Sequence, residues 1–396
     1  GARPWPRRAG AACWKTERGG AASLSRKVEN LSLSALATGR RGAEAAPDLR
    51  GEPPVPPSFI EFLLRRIVGF AGVLLVLSVM IFILARVVPG DPARIALGPT
   101  ATSEQVAELR AEMGLDEPLL TQYATFLSGA VRGDFGTSLI SGKPVAEEIA
   151  ALLPATLELV IATLAIMLVV GLPLGVLAAR YRNSWADTVL RLVSLIGVTM
   201  PSFLFAILLQ LFAAYYLTDW PILGRIDRAY EGLEGPTGLL TLDGLLMGRP
   251  DLTLDALQHL AFPALALAMS GIGQIMRITR SAMIEHQRRD HVQTLRSFGV
   301  PGRVVTFRYL LKLSSIAPLT ILGLEFASLI GNAFVVELVF SWGGFASAGL
   351  ESIMQKDLNA VMAVVLVSGC FFVVANLLID VAIGLLDPRL RLKESR

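Results

Sequence analysis

Six apolar stretches, each about as long as a membrane is thick, constrain this chain more than any other feature of its sequence. A helix of about 20 apolar residues crosses the hydrocarbon core, where its backbone polar groups are bonded within the segment. A transmembrane barrel would instead need stretches of about ten residues that alternate between apolar and polar. The stretches here are continuous, so the sequence predicts an all-α polytopic membrane protein with six transmembrane helices. They cover residues 67–88, 152–179, 190–217, 257–278, 316–340 and 360–386.

Basic residues at the ends of these stretches predict the side of the membrane on which each loop lies. Arg65 and Arg66 precede the first stretch, and further basic residues follow the last one. Because positive charge is concentrated in inside loops, the N- and C-termini are both predicted to be cytoplasmic. Segments 93–149 and 218–255 are then external, and acidic residues outnumber basic ones in the first of them.

The N-terminal tail, residues 1–58, differs in composition from the rest of the chain. It is rich in Ala, Gly, Arg, Pro and Ser, so we expect it to be disordered. The first methionine is Met80, and we hypothesise that the start is mis-assigned and that the natural one lies nearer Phe59. The alternative is a basic tail that lies on anionic lipid. After the tail, the sequence predicts three divisions. Residues 59–150 form a first helix with an external segment, residues 151–392 form a five-helix core, and residues 393–396 form a short end.

The most basic of the predicted cytoplasmic loops between apolar stretches is 283–318, which joins the fourth and fifth stretches. Val292, Leu295 and Phe298 recur at three-residue spacing, which predicts a short helix with one apolar stripe. Gly299 can adopt the left-handed conformation that ends a helix, and a proline two residues later prevents continuation. A membrane protein can present two short helices, separated by a glycine, as a contact surface for a soluble partner. The alternative is a loop that merely follows the charge rule.

Residues of this segment resemble the cytoplasmic coupling motif, the EAA loop, of ABC-importer permeases. Over about 59–392 the chain is similar to the B-type permease subunit of dipeptide, oligopeptide and nickel importers. The order and spacing of the landmarks make this resemblance specific. In the loop they are Glu285, Asp290, Val292, Thr294, Arg296 and Gly299. Elsewhere they are Pro89-Gly90-Asp91-Pro92, Arg132-Gly133-Asp134-Phe135-Gly136-Thr137-Ser138, Leu153-Pro154-Ala155-Thr156-Leu157-Glu158, Pro201-Ser202-Phe203, Val336-Glu337-Leu338-Val339-Phe340-Ser341-Trp342 and Leu386-Asp387-Pro388-Arg389.

The resemblance implies a type I ABC-importer permease fold in a bacterial inner membrane. It also implies the partners, which are a second homologous permease subunit, two cytoplasmic ABC ATPase subunits and an external solute-binding protein, with no nucleic acid. Phe298 and Leu295 would be the buried anchor in an ATPase groove, and Arg296 and Asp290 would make polar contacts. The full set of coupling residues is Glu285, Asp290, Val292, Thr294, Leu295, Arg296, Phe298 and Gly299.

The segment also departs from the family pattern. His291 stands where a tyrosine is usual, Gln293 where a basic residue is common and Leu295 where a small one is. Pro318 lies one place later than the family's proline, and Gly343 replaces another. These differences affect the expected geometry of ATPase docking.

The chain lacks the motifs of an ATPase or a metal site. No Gly-x-x-x-x-Gly-Lys-Ser/Thr run occurs, so ATP and Mg²⁺ are expected on partner subunits and this chain is not expected to be an enzyme. Its two cysteines, Cys13 and Cys370, and its three histidines are scattered. No catalytic residue, metal site or bound cofactor is therefore predicted.

Polar side chains inside the apolar stretches are candidates for a translocation path, because burying them in lipid is costly. The candidates are Glu325, Gln210 and Asn332. The alternative for Glu325 is a hydrogen bond between packed helices. Glu158 and Glu337 lie near predicted outer ends, where we interpret them as reaching water.

The function predicted on this basis is ATP-driven import of di- and oligopeptides, with this chain forming half of the pathway. Nickel, an oligosaccharide or another small solute is the alternative within the same class of transporter. A stand-alone secondary transporter is the alternative from another class. That class predicts inverted repeats with paired broken helices, and no such repeat is visible.

Overall fold

The computed structural model describes residues 59–87, 91–98, 100–233 and 235–386, without the side chains of 59–62, 327 and 382–386. Some predictions therefore lie outside the described residues. They are the disordered tail 1–58, the short end 393–396, the basic C-terminal residues, and the landmark positions 89–90 and 387–389.

Helices account for nearly all of the regular structure in the described part of the chain. Within it, α5 contains a π-helical turn at Met167–Gly171 and α11 contains another at Val305–Leu310. Thr137 and Pro144 form an isolated antiparallel bridge. In chain order the helices are α1 Phe59–Val87, α2 Pro92–Leu97, α3 Ser103–Glu112, α4 Leu119–Arg132, α5 Val145–Arg180, α6 Trp185–Thr199, α7 Ser202–Tyr216, α8 Leu240–Leu246, α9 Pro250–His286, α10 Asp290–Ser297, α11 Gly302–Ser314, α12 Ile316–Val339, α13 Phe345–Gln355 and α14 Leu358–Leu386.

The described helices confirm the predicted all-α polytopic fold. Four of them, α1, α5, α9 and α14, are long and apolar enough to cross a membrane. The count reaches six if each of two bent pairs is one span, α6 with α7 and α11 with the first part of α12. Helix α12 itself covers the predicted fifth stretch to within one residue. The cytoplasmic position of the termini stays a prediction.

The third span differs from the single helix, kinked at Pro201, that the sequence predicts over 190–217. Helices α6 and α7 meet there at 108°. Proline lacks an N–H group and disfavours the helical conformation of the residue before it, and Met200 is extended, with ψ 126°. The chain therefore turns sharply at Met200 and Pro201, and both helix ends lie beside the cavity described below.

Helix α9 is the element against which most of the others pack, since α5, α6, α7, α8 and α12 all contact it. Two close approaches require glycine. A Cβ on Gly175 of α5 would lie 2.6 Å from the Cβ of Thr279, and one on Gly197 of α6 would lie 2.8 Å from the carbonyl oxygen of Met269. Helices α5 and α6 are thereby held directly against α9.

The main hydrophobic core lies between α5, α9 and α12, and includes the fully buried Leu159, Leu267 and Trp342. Helix α1 belongs to a smaller cluster, in which Phe82 stacks on Phe126 of α4. Helix α1 also contacts α14. The segment that contains α4, which is predicted to be external, is thus joined to helices α1 and α14.

Two carboxylates near the predicted outer ends are buried, and the interpretation that they reach water is wrong. Glu158 is 5 % exposed and accepts hydrogen bonds from Arg225 at 2.8 Å and from the Thr241 N–H at 2.7 Å. Glu337 is fully buried and accepts a hydrogen bond from the Thr156 hydroxyl. Hydrogen bonding offsets the cost of burying a carboxylate. The bonds of Glu158 hold the loop after α7 and the start of α8 against α5, and the bond of Glu337 holds the end of α12 against α5.

Candidate functional site

The segment 283–318 folds as the end of α9, the short helix α10, a tight turn and α11. Val292 of α10 is fully buried in a cluster with Met283 of α9, Val305 of α11 and Val176 of α5. A short, otherwise polar helix is stabilised mainly by the burial of such an apolar side chain against neighbouring helices. Helix α10 is therefore fixed to three other helices by its inner face.

Gly299 ends α10 in the left-handed conformation that the sequence predicts, with φ +73°. Its N–H donates to the carbonyl of Arg296 at 3.0 Å, and the N–H of Val300 donates to the carbonyl of Leu295 at 3.2 Å. This pair of bonds is the Schellman motif of a helix C-terminus. A Cβ on Gly299 would meet nothing within 4 Å, so glycine is favoured by the backbone conformation and not by lack of space.

The end of α10 divides the predicted apolar stripe into two parts. Val292 and the partly buried Leu295 pack on the chain's own cluster. Phe298 is the first residue after the helix, leaves its periodicity, and is 81 % exposed. The expectation that all three share one face is therefore wrong. Phe298 is free to contact another molecule, whereas the assigned contact of Leu295 with a partner stays a prediction.

Charged residues of the coupling segment lie at its surface. Arg289 donates to Glu285 at 3.0 Å, and the Thr294 hydroxyl donates to the carbonyl of Asp290 at 2.9 Å. Asp290 lies in the first turn of α10 and Arg296 in its last, the arrangement that suits the helix dipole. The roles of these residues as contacts with an ATPase stay predictions.

A buried ion pair that the sequence analysis missed links α6 to α9, close to this segment. Arg280 donates from two guanidinium nitrogens, at 2.7 and 2.9 Å, to the two carboxylate oxygens of Asp187. Asp187 is fully buried and also accepts from the N–H of Asn183 at 3.0 Å. The sequence shows Arg280 only as a basic residue at an inner helix end. Its partner lies 93 positions away and becomes evident only once α6 packs on α9.

The three candidates for a translocation path do not lie on one surface. Glu325 and Asn332 of α12 both line a partly open cavity of about 360 Å³, together with the residues at the break between α6 and α7. Gln210 is not among the lining residues, and its amide donates to the carbonyl of Val339 at 3.1 Å. The structure thus brings two of the three together, and a role for any of them in transport stays a prediction.

The described residues include no group of three or more His, Cys, Asp and Glu side chains that could hold a metal ion. Of the histidines, His259 is buried in α9, where its ring bonds the carbonyl of Asp255 at 3.0 Å. His286 and His291 lie on the coupling segment.

Comparison with known proteins gives two family matches. Residues 171–392 match the model of the binding-protein-dependent transport system inner membrane component, and residues 59–160 match the model of its N-terminal region. A probable D,D-dipeptide transport system permease protein of Escherichia coli (strain K12) is 36 % identical over 84 % of this chain and 98 % of the relative. A dipeptide transport system permease protein of Alkalihalophilus pseudofirmus is 33 % identical over 84 % of this chain and 99 % of the relative. A glutathione transport system permease protein of Salmonella choleraesuis is 30 % identical over 84 % of this chain and all of the relative.

Proposed function

Since this chain belongs to the family of binding-protein-dependent transport system inner membrane components, we propose that it is the permease subunit of an ATP-driven importer of peptides. It is a multi-pass protein of the inner membrane. The relatives described above are named for dipeptides and glutathione, which favours a peptide over nickel as the solute. The chain would form half of the pathway, and a second homologous permease subunit would form the other half.

The observation that carries the proposal is the exposed Phe298 on a rigidly held corner. Helix α10 is fixed by Val292 and ended by Gly299, so the phenylalanine is presented in a defined position. Aromatic side chains are enriched at protein interfaces, where they fill pockets on the partner. The residues around Phe298 are basic, which is typical of the cytoplasmic side of a membrane protein and suits a cytoplasmic partner. Each of the two ATPase subunits would take one such corner, one from each permease subunit.

The packing supports a route by which ATPase closure reaches the pathway. Helix α10 is joined to α5 and α9 through the Val292 cluster, and to α12 through α11. The Asp187–Arg280 pair connects α9 to α6. A movement of α10 would therefore displace α6, α9 and α12, which line the cavity together with the start of α7. Closure would shift the population between inward and outward states by binding one of them more tightly. ATP hydrolysis itself would belong to the partner subunits.

The two external segments, 93–149 and 218–255, would dock the solute-binding protein. The second is fastened to α5 by the bonds of Arg225 and Thr241 with Glu158. In the first, Arg110 bridges Asp116 at 3.0 Å and Asp91 at 3.1 Å. These contacts restrict part of each segment, which lowers the entropic cost of docking.

Deleting this chain is expected to abolish ATP-dependent uptake of di- and oligopeptides by the cells that make it, because half of the pathway is lost. Accumulation of a panel of labelled peptides measures the effect. Expression of the intact chain from a plasmid should restore uptake, whereas expression of the Gly299→Asp variant, with a strained left-handed residue, should restore little.

Three outcomes of this experiment would contradict parts of the proposal. Unchanged uptake of every peptide would reject the peptide assignment, and loss of nickel uptake alone would favour the metal. Peptide uptake that persists after ATP depletion, while the membrane potential is maintained, would favour a stand-alone secondary transporter.

A further inference from the structure

The cavity at the break between α6 and α7 contains one charged side chain among its described lining residues. That residue is Glu325, and no lysine, arginine or histidine accompanies it. The polar remainder consists of hydroxyl and amide side chains, such as Ser202, Ser270 and Asn332. In surroundings of low dielectric constant a single carboxylate produces a strong negative potential. The cavity therefore favours a positively charged group.

Glu325 lies near the middle of α12, as the tenth residue of its 24. Its carboxylate accepts a hydrogen bond from the amide of Gln274 on α9. This bond satisfies part of its hydrogen-bonding capacity, but the neutral amide does not compensate the negative charge. A carboxylate in the interior of a membrane protein is costly unless it is paired with a cation.

Other carboxylates on the membrane helices show how this chain meets that requirement. Asp187 pairs with Arg280 and Glu158 pairs with Arg225, each at hydrogen-bond distance. Glu337 has no arginine, but it is fully enclosed and accepts bonds from a hydroxyl and a backbone N–H. Glu325 differs from all of these because it faces a cavity and has no basic partner among the described residues. A cation from outside the chain can reach it.

Resting on the proposed function, we propose that Glu325 binds the ammonium group of a lysine side chain on a peptide in transit. An ammonium group has three N–H donors, and Asn332 and Ser270 offer further acceptors on the same cavity wall. The volume of about 360 Å³ is within the roughly 300–1,000 Å³ of small-molecule sites. Because α6, α9 and α12 all contribute to the wall, the affinity for the ammonium group would change as these helices move.

Transport selectivity tests the proposal in the complete complex. Uptake is compared for three tripeptides that differ only in one central side chain, which is lysine, alanine or glutamate. Glu325→Gln should lower the ratio of lysine-peptide to glutamate-peptide uptake about tenfold, because a partly dehydrated ion pair is lost. Glu325→Asp, which keeps the charge, should retain most of the ratio. An unchanged ratio in Glu325→Gln would overturn the proposal, since a merely structural defect lowers uptake of all three peptides alike.

A second measurement needs no transport. In a variant without Cys13 and Cys370, Ser270→Cys places a thiol in the cavity, and its reaction rates with cationic and anionic methanethiosulfonates are compared. The preference for the cationic reagent should be about tenfold greater when Glu325 is present than in the Glu325→Gln variant. Ser141→Cys, at an exposed position in a segment predicted to be external, should show no such difference. Equal preference with and without the Glu325→Gln change at the Ser270→Cys site would overturn the proposal. If the wild-type complex transports no peptide, the proposed function fails, while this thiol experiment still decides whether the cavity selects cations.

Discussion

Replacing Phe298 by aspartate is expected to detach the cytoplasmic ATPase from the transporter while the permease itself stays folded. The side chain is 81 % exposed, so the substitution removes no contact from the chain's own core. In the complex it would place a charge in the pocket that the aromatic ring is proposed to fill. Loss of a buried aromatic anchor costs about 2 kcal/mol or more, which weakens binding by roughly thirtyfold or more. The measurements are co-purification of the ATPase with the permease and peptide-stimulated ATP turnover.

Matched variants separate the loss of the ring from the gain of a charge. Ser297→Asp adds the same charge one residue earlier, on an exposed position of α10, and should reduce coupling much less. Phe298→Leu keeps an apolar side chain and should retain partial coupling. Val292→Asp, in contrast, should destabilise the segment itself because Val292 is fully buried. Normal co-purification and ATP turnover in Phe298→Asp would contradict the coupling role of this corner.

The sequence predicted much of this fold because its strongest signals are local. Apolar stretches longer than a membrane is thick have few alternatives to a spanning helix. The end of α10 was predictable for the same reason, since Gly299 followed by proline fixes a helix C-terminus within a few residues. The family resemblance in the coupling segment depends on the same short run of chain.

Features that depend on packing between distant residues were not predictable from these local patterns. The break at Pro201 was expected as a kink, because a proline can bend a helix or end it and only the neighbouring elements decide. Glu158 was interpreted as reaching water, yet it is buried by Arg225 and Thr241, which lie 67 and 83 positions away. For Pro201 and Glu158 the missing information was which distant residues pack against them. The exposure of Phe298 differs, because it follows from the local end of α10 at Gly299, and only the three-residue spacing to Val292 and Leu295 suggested a shared face.

The Asp187–Arg280 pair leads to the second prediction with a large effect. Arg280→Ala would remove the guanidinium that bonds both oxygens of the fully buried Asp187 and would leave only the exposed Arg191, at 3.8 Å, as its basic partner among the described residues. Breaking a buried pair by removing one partner costs about 3–5 kcal/mol, and the Arg191 contact offsets part of that cost. We therefore expect a large loss of thermal stability of the purified permease and loss of ATP-coupled uptake. Arg280→Lys should rescue only part of this, because an ammonium group cannot reproduce two parallel bonds to one carboxylate.

The control for this prediction is the exposed ion pair of Arg249 and Asp251, whose side chains are 40 % and 49 % exposed. Arg249→Ala should lower the melting temperature only slightly, since solvent already screens that pair. The double variant Asp187→Leu with Arg280→Met removes both buried charges and should recover most of the stability lost in Arg280→Ala. If it recovers stability but not uptake, the pair is needed to transmit movement from α9 to α6 and not only to hold them together. A melting temperature of Arg280→Ala equal to that of Arg249→Ala would show that the buried pair does not stabilise the permease, and normal ATP-coupled uptake in Arg280→Ala would show that it does not transmit movement.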